Sequence, residues 1–316
     1  MSSIGQIPGT PIPPSRRLLT NRAFLSVCLA STTLAVAVLC ALIISVAVDG
    51  WGSLSWDFLD SFASRKPEKA GIKAALFGSL WVVATCALTA IPIGVGTAVY
   101  LEEFAPKNRV TRFIQLNITN LAGVPSIVYG IIGLTAFSRM FGVFRLDEPV
   151  TLGNSETFWF LQFPFGPSVL AAGLTLMLVI LPVMIVSSQE ALRSVPATLR
   201  QGSLAMGATT WQTVWRLTLP AAIPTIITGT ILAISRAIGE AAPLLVVGAA
   251  LLIFRTPENL MSSFTVLPLQ IFNWAGRPQA GFHAIAAAAI IVQLVLLILF
   301  NGTAVALRLR LQKPLQ

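Results

Sequence analysis

Long apolar stretches alternate with short polar segments along most of the chain. Five uninterrupted stretches are easy to delimit, at residues 23–48, 74–99, 113–137, 168–186 and 284–307. Each is long enough to cross a hydrocarbon core of about 30 Å as an α-helix. A sixth stretch, 217–253, is either one long helix or two short spans that meet near residues 235–240. The pattern predicts an all-α integral membrane protein.

The positions of Lys and Arg indicate how often the chain crosses the bilayer. If it crosses six times, the segments on one side carry twelve Lys and Arg and three acidic residues, and those on the other side carry eight of each sign. An excess of Lys and Arg marks the cytoplasmic side. A seventh crossing would move Arg308, Arg310 and Lys313 to the outside. We therefore expect six transmembrane helices with both termini in the cytoplasm.

The composition leaves little room for an enzyme. Hydrophobic residues make up 55% of the 316 residues and charged residues only 10%, whereas about a quarter of the residues in a soluble domain are charged. One histidine and three cysteines, all three in apolar stretches and interpreted as buried thiols, offer no set of metal ligands and no catalytic triad. The chain has no Gly-Lys dipeptide, and therefore no phosphate-binding loop for ATP. We predict no catalytic residue, no metal and no cofactor bound by this chain.

Three regions are expected along the chain. Residues 1–22 are polar and rich in Pro and Ser, which predicts a cytoplasmic tail. The apolar stretch 23–48 is longer than the core of a signal peptide, which has about 7–15 residues, so it is interpreted as the first transmembrane anchor. Residues 74–307 are expected to form the core of the protein.

The third apolar stretch contains residues that interrupt helices. Between Leu121 and Leu134 it holds three glycines and Pro125. A proline removes a helical donor and frees a carbonyl, which a membrane tolerates only where protein or a water-lined cavity satisfies it. Two interpretations remain: close packing of helices through small residues, and a broken helix beside a transport path.

The most informative polar segment lies at about residues 190–220. Gly207 is expected to end a short helix with a positive φ. A second helix would follow, with Trp211, Val214 and Trp215 supplying apolar contacts. On composition alone, such a segment is typical of an amphipathic helix at the membrane surface.

The spacing within this segment resembles the EAA loop of ABC importer permeases. Gly207 and Ala208 are followed by Leu217, in place of an isoleucine, and by Leu219-Pro220, with nine residues and then one residue between the motif positions. Gln201-Gly202-Ser203 stands where the family has Glu-Ala-Ala. The resemblance implies the type I ABC importer permease fold, with a cytoplasmic coupling helix that docks onto a separate ATPase subunit.

Three further stretches narrow the resemblance. Residues 92–104, 123–130 and 236–244 are similar to permeases of the Pst phosphate importers, and the last resembles the PstA type rather than the PstC type. This implies a bacterial plasma (inner) membrane protein that forms half of a translocation pathway for inorganic phosphate. Its implied partners are a PstC-like second permease subunit, two PstB-like ATPase subunits that bind ATP and Mg, and a PstS-like phosphate-binding protein. A secondary transporter, or an ABC permease for another oxyanion such as molybdate or sulfate, remains an alternative.

Arg236 and Glu240 are the only ionisable pair inside a predicted span. An unpaired charge at the bilayer centre costs about 2.5–3.5 kcal/mol on insertion scales, and residues four apart share a helix face. One interpretation is that the two charges only neutralise each other. The other is that Arg236, a fork of hydrogen-bond donors, contacts a passing oxyanion while Glu240 orients it.

Overall fold

The computed structural model describes residues 14–142, 150–153, 160–250 and 252–311, and most of these residues are helical. The α-helices are α1 (Pro14–Trp51), α2 (Trp56–Asp60), α3 (Lys73–Val99), α4 (Arg109–Leu121), α5 (Ser126–Gly133), α6 (Val169–Arg193), α7 (Ala197–Ala205), α8 (Thr210–Thr213), α9 (Leu219–Gly239), α10 (Ala242–Val247), α11 (Leu267–Ala275) and α12 (Ala280–Leu311). Single π-helical turns extend α3 through Tyr100–Phe104, extend α5 through Leu134–Ser138, and join α8 to α9 through Val214–Thr218. Two short antiparallel strands, β1 (Val150–Leu152) and β2 (Leu161–Phe163), pair with Val150 opposite Phe163.

The described residues contain five segments that are long and apolar enough to cross a membrane. They are Asn21–Trp51, Lys73–Phe104, Val169–Arg193, Thr210–Gly239 and Ala280–Arg310. The helices α4 and α5 qualify only as a pair, and they bend by 106° at the break between them. Counting this pair as one crossing gives the predicted six, so the chain is a multi-pass membrane protein.

The stretch 113–137 is therefore a broken helix and not one straight span. Pro125 has no N–H to donate, and its ring disfavours a helical conformation at Val124. The other interpretation of this stretch, close packing through small residues, also holds. A Cβ added to Gly130 would lie 2.8 Å from the Cα of Pro243 in α10.

The stretch 217–253 also contains a break. The helix α9 ends at Gly239, and the backbone of Glu240 is extended, with φ −81° and ψ 117°. The short helix α10 follows and ends at Gly248, which has φ 107°. The stretch therefore provides one span and one short helix, because six residues of α10 are too few to cross a bilayer.

The first span lies at the edge of the bundle. Its helix begins at Pro14, so it extends the membrane-crossing segment Asn21–Trp51 toward the N-terminus by seven residues; residues 1–13 of the expected tail lie outside the described residues. Among the described residues, its extensive contacts are with α12, where a Cβ on Gly50 would lie 2.6 Å from the backbone N of Ala288. Cys28 and Cys40 on this helix are exposed, so the interpretation as buried thiols holds only for Cys86.

The centre of the bundle is formed by α3, α6 and α9. The contact of α3 with α6 is the most extensive in the molecule. It is close because Gly173 of α6 leaves no side chain between the backbones, and an added Cβ would lie 2.6 Å from the side chain of Thr85. Most of the fully buried residues of this core are aliphatic, among them Val82, Ala90, Ala172, Leu176 and Ile180.

The two ends of the bundle differ in charge and contacts. At one end, which we name the α7 end, Glu102 and Glu103 at the end of α3 form ion pairs with Arg193 and Arg200 near the end of α6 and in α7. At the opposite end, the start of α6 bonds to the loop before α11, where Val169 N donates to the Ser262 carbonyl at 3.1 Å.

Candidate functional site

The predicted charge pair lies where α9 ends: Arg236 is in its last turn, and Glu240 is the residue after Gly239, just beyond the segment Thr210–Gly239. The Nε atom of Arg236 is 3.4 Å from Oε1 of Glu240, so the two side chains pair as their spacing predicts. The arginine side chain remains 47% exposed and the glutamate side chain 18%. A separation of 3.4 Å is long for a charge-assisted hydrogen bond, which is usually about 2.7–2.9 Å. Part of the guanidinium is thus accessible to another acceptor.

Two helix breaks pack against each other beside this pair. The helix α5, which follows the break at residues 122–125, contacts α10, which follows the break at residues 240–241. The contact is close because Gly130 faces the backbone of Pro243. Irregular backbone at membrane depth is tolerated where it is buried in protein or lines a water-filled cavity. This pair of breaks is therefore the part of the fold best suited to a transport path.

Tyr129 fixes the geometry of the α4–α5 bend. Its buried hydroxyl donates to the carbonyl of Leu121 at 2.8 Å, across the bend. Leu121 is at the end of α4, where carbonyls lose their intrahelical partners. Tyr129 carried no functional weight in the sequence analysis, although a tyrosine inside an apolar stretch was a visible signal.

A pair of glutamines joins α4 to α6. Gln115 and Gln189 exchange two amide hydrogen bonds of 2.9 and 2.8 Å. Gln189 is fully buried, and a buried amide is costly unless it is bonded in this way. Because the two residues are 74 positions apart, no local pattern in the sequence indicates this pair of hydrogen bonds.

The coupling segment has the predicted helix–turn–helix form. The helix α7 ends at Ala205, and Gly207 follows with φ 87°, a conformation that favours glycine. The helix α8 then begins after Thr209, whose hydroxyl accepts from Gln212 N while the Gln212 side chain accepts from Thr209 N. The helix α7 has no buried residue.

The other motif residues follow this turn. Ala208 is half-buried in the turn itself, and Leu217 is half-buried in the π turn that leads into α9. Leu219 and Pro220 are the first two residues of α9, which places the proline where a helix tolerates it. The structure therefore joins the end of the motif directly to the span that carries Arg236.

The coupling segment is attached to the bundle by ion pairs. Arg200 of α7 lies 2.9 Å from Glu103, and Nε of Arg193 donates to Glu102 at 2.9 Å. The hydroxyls of Ser203 and Thr213 are 2.9 Å apart and join α7 to α8. A displacement of α7 would therefore act on both α3 and α6.

The fold and these segments define a class of protein. The chain matches the family described as "Binding-protein-dependent transport system inner membrane component" over residues 90–313, and it belongs to this family. The predicted type I ABC importer permease fold is thus confirmed. Two solved structures share the fold. A bacterial alginate ABC transporter has a TM-score of 0.66 at 16% identity, over 96% of this chain and 99% of that one. The MetNI methionine ABC transporter has a TM-score of 0.55 at 18% identity, over 76% and 97%.

Similar sequences confirm the resemblance to Pst permeases. The chain is 32% identical to "Phosphate transport system permease protein PstA 1" of Mycobacterium tuberculosis (strain ATCC 25618 / H37Rv), over 87% of this chain and 83% of the relative. It is 38% identical to PstA of Mycobacterium leprae over 73% and 67%. It is also 37% identical to the "Probable ABC transporter permease protein YqgI" of Bacillus subtilis over 66% of this chain. That match spans 64% of the Bacillus protein, slightly less than two thirds of its length.

Proposed function

We propose that this protein is a permease subunit of an ATP-driven importer and forms half of the translocation pathway for inorganic phosphate. The observation that carries the proposal is the half-exposed guanidinium of Arg236 beside two packed helix breaks. An arginine is suited to a tetrahedral oxyanion, because its fork of N–H groups matches two oxygens at once. The similarity to permeases named for phosphate transport supports phosphate as that oxyanion.

The partly satisfied ion pair is better suited to the passage of an anion than to its tight binding. Glu240 already offers Arg236 one acceptor, so an arriving anion competes with it and gains less free energy than it would from an unpaired arginine. Weak binding favours release, which each transport cycle requires. Glu240 can also accept a hydrogen bond from a protonated phosphate oxygen.

Coupling to ATP is assigned to the exposed α7 surface. In this proposal, α7 docks onto an ATPase subunit, and Arg200, which pairs with Glu103 and donates to the Leu192 carbonyl, passes its movement to α3 and α6. The complete importer would contain a PstC-like permease, two PstB-like ATPases that hold ATP and Mg²⁺, and a PstS-like binding protein. The α7 end and both termini would then lie on the cytoplasmic side of a bacterial inner membrane, in agreement with the excess of Lys and Arg on that side.

Transport by the reassembled importer tests this proposal. The chain should be expressed with a PstC-like permease, a PstB-like ATPase and a PstS-like binding protein, in cells that lack their own phosphate importer. We expect ATP-dependent uptake of labelled phosphate that unlabelled phosphate blocks and excess sulfate or molybdate does not. Equal competition by sulfate or molybdate would assign another oxyanion. Uptake driven by an ion gradient with this chain alone would identify a secondary transporter.

A further inference from the structure

An open apolar groove lies at the α7 end, between α3 and the segment that joins α8 to α9. Its volume is about 690 Å³. The residues that line it include Ile91, Val95, Tyr100, Phe104, Trp211 and Trp215. Trp211 stacks on Trp215, with ring centroids 5.8 Å apart and an interplanar angle of 9°. Both tryptophans are exposed, so nothing within the described residues covers the groove.

The groove has the length and chemistry of a site for one acyl chain. Tyr and Trp side chains favour the headgroup level of a bilayer, and here Tyr100 and both tryptophans line the end of the groove near α7. From Tyr100 to Ile91 the groove follows α3 for nine residues, which is roughly 13 Å of helix. One leaflet contributes about 15 Å of a hydrocarbon core that is about 30 Å thick.

The charges around the groove select the headgroup. Lys107 lies in the loop after the π turn of α3, and Arg216 directly follows Trp215. Both are exposed, and neither has an ion-pair partner among the described residues. The nearby carboxylates, Glu102 and Glu103, are already paired with arginines. The uncompensated charge near the groove is therefore positive.

We propose that this groove binds an anionic glycerophospholipid, with an acyl chain against α3 and its phosphate on Lys107 and Arg216. A zwitterionic lipid has a cationic group beside its phosphate and would compensate these two cations only in part, and the apolar surface of a helix from another subunit would not compensate them. The bound chain would support the Trp211–Trp215 stack, which immediately precedes α9. The lipid would thus stabilise the segment between the coupling helix and the span that carries Arg236, whatever ion is transported.

Tryptophan quenching by brominated lipids tests the site directly. The full chain is placed in phosphatidylcholine bilayers that contain a minor fraction of either brominated phosphatidylglycerol or brominated phosphatidylcholine. Subtracting the signal of a Trp211→Phe/Trp215→Phe variant isolates the emission of the groove. Each cation near an anionic lipid contributes about a fivefold preference. We therefore expect the phosphatidylglycerol probe to quench these tryptophans at a much lower mole fraction than the phosphatidylcholine probe.

Charge variants separate this site from general lipid contact. Lys107→Gln/Arg216→Gln should remove the preference for phosphatidylglycerol. The matched control Arg65→Gln/Arg255→Gln removes two exposed cations near the opposite end and should retain it. Equal quenching by the two probes, or a preference that persists in the first variant, would overturn the proposal. It would also fail if quenching disappeared once the second permease subunit is bound, because protein would then fill the groove.

Discussion

At the scale of single residues, the charges of Arg236 and Glu240 depend on each other. Their separation of 3.4 Å makes a loose pair, yet each compensates the other within a largely apolar span. Removing one charge leaves the second unpaired in the membrane, at a cost of up to about 2.5–3.5 kcal/mol. A single substitution therefore mixes the loss of a functional group with the exposure of its partner.

The double variant separates these two effects. Arg236→Gln should reduce both assembly and phosphate uptake, because Glu240 is left unpaired, and Glu240→Gln should have a milder effect. Arg236→Gln/Glu240→Gln removes both charges, so we expect the yield of the complex to recover. Uptake should stay at least tenfold below normal, because a hydrogen bond from a charged group to the ion contributes about 1.5–3 kcal/mol. Yield and uptake are measured on the same preparations. Recovery of uptake together with yield would mean that the pair only neutralises itself.

At the scale of elements, the packing of α5 on α10 holds the two helix breaks together. It depends on the missing side chain of Gly130, where an added Cβ would meet Pro243 Cα at 2.8 Å and its carbonyl O at 2.9 Å. Both contacts are with backbone, which cannot turn aside as a flexible side chain can. Any larger residue at this position must move one helix relative to the other.

Gly130→Ala should therefore reduce transport and the stability of the complex. Alanine normally stabilises a helix by about 0.5–1 kcal/mol relative to glycine, so a loss would oppose the intrinsic preference. Gly302→Ala in α12 is the matched control, because no atom lies within 4 Å of its added Cβ. We expect a lower unfolding temperature and lower uptake for Gly130→Ala and neither change for the control. Unchanged uptake in Gly130→Ala would show that transport does not depend on the close packing of α5 on α10.

Some of these elements could be predicted from the sequence and others could not, for physical reasons. The apolar lengths gave the spans, and the positive φ of Gly207 could be predicted because few other residues adopt it. Breaks near residues 235–240 and at Pro125 were among the open interpretations, but the 106° bend could not be predicted, because a proline marks an interruption without setting the direction of the chain after it. That direction depends on contacts between distant positions, such as Gln115 with Gln189, and on the bond from Tyr129 to Leu121. Local periodicity contains no information about such pairs.

At the scale of the whole molecule, the coupling segment and the charge pair are connected by continuous structure. The segment from Thr210 to Gly239 is one helical unit with a π turn inside it, so it extends from the turn at Gly207 to the last turn before Glu240. Arg200 of α7 provides a second connection, through its ion pair with Glu103 at the end of α3 and its hydrogen bond to the Leu192 carbonyl of α6. Force applied to α7 by a partner can thus reach the transport path by two routes.

Gly207→Val should interrupt this connection without unfolding the protein. A β-branched residue at φ 87° costs roughly 1–2 kcal/mol of local strain, although no neighbouring atom would clash with it. Membrane insertion should survive, while phosphate uptake per ATP hydrolysed falls. Gly202→Val is the matched control, since its added side chain also meets nothing within 4 Å but its φ is not positive. Normal coupling in Gly207→Val would indicate that the segment only rests on the membrane surface.

The edge position of α1 has a consequence for biosynthesis. In the described part of the chain, its extensive contacts are with α12, and the contacting residues Gly50 and Ala288 are separated by 238 positions. A ribosome adding roughly 5–20 residues per second needs about 12–48 s to make that length of chain. During this interval α1 resides in the lipid without its partner helix, while α3 and α6 are able to pack as soon as both have been inserted. Nascent chains arrested before α12 should therefore contain the central bundle with α1 still detached from it.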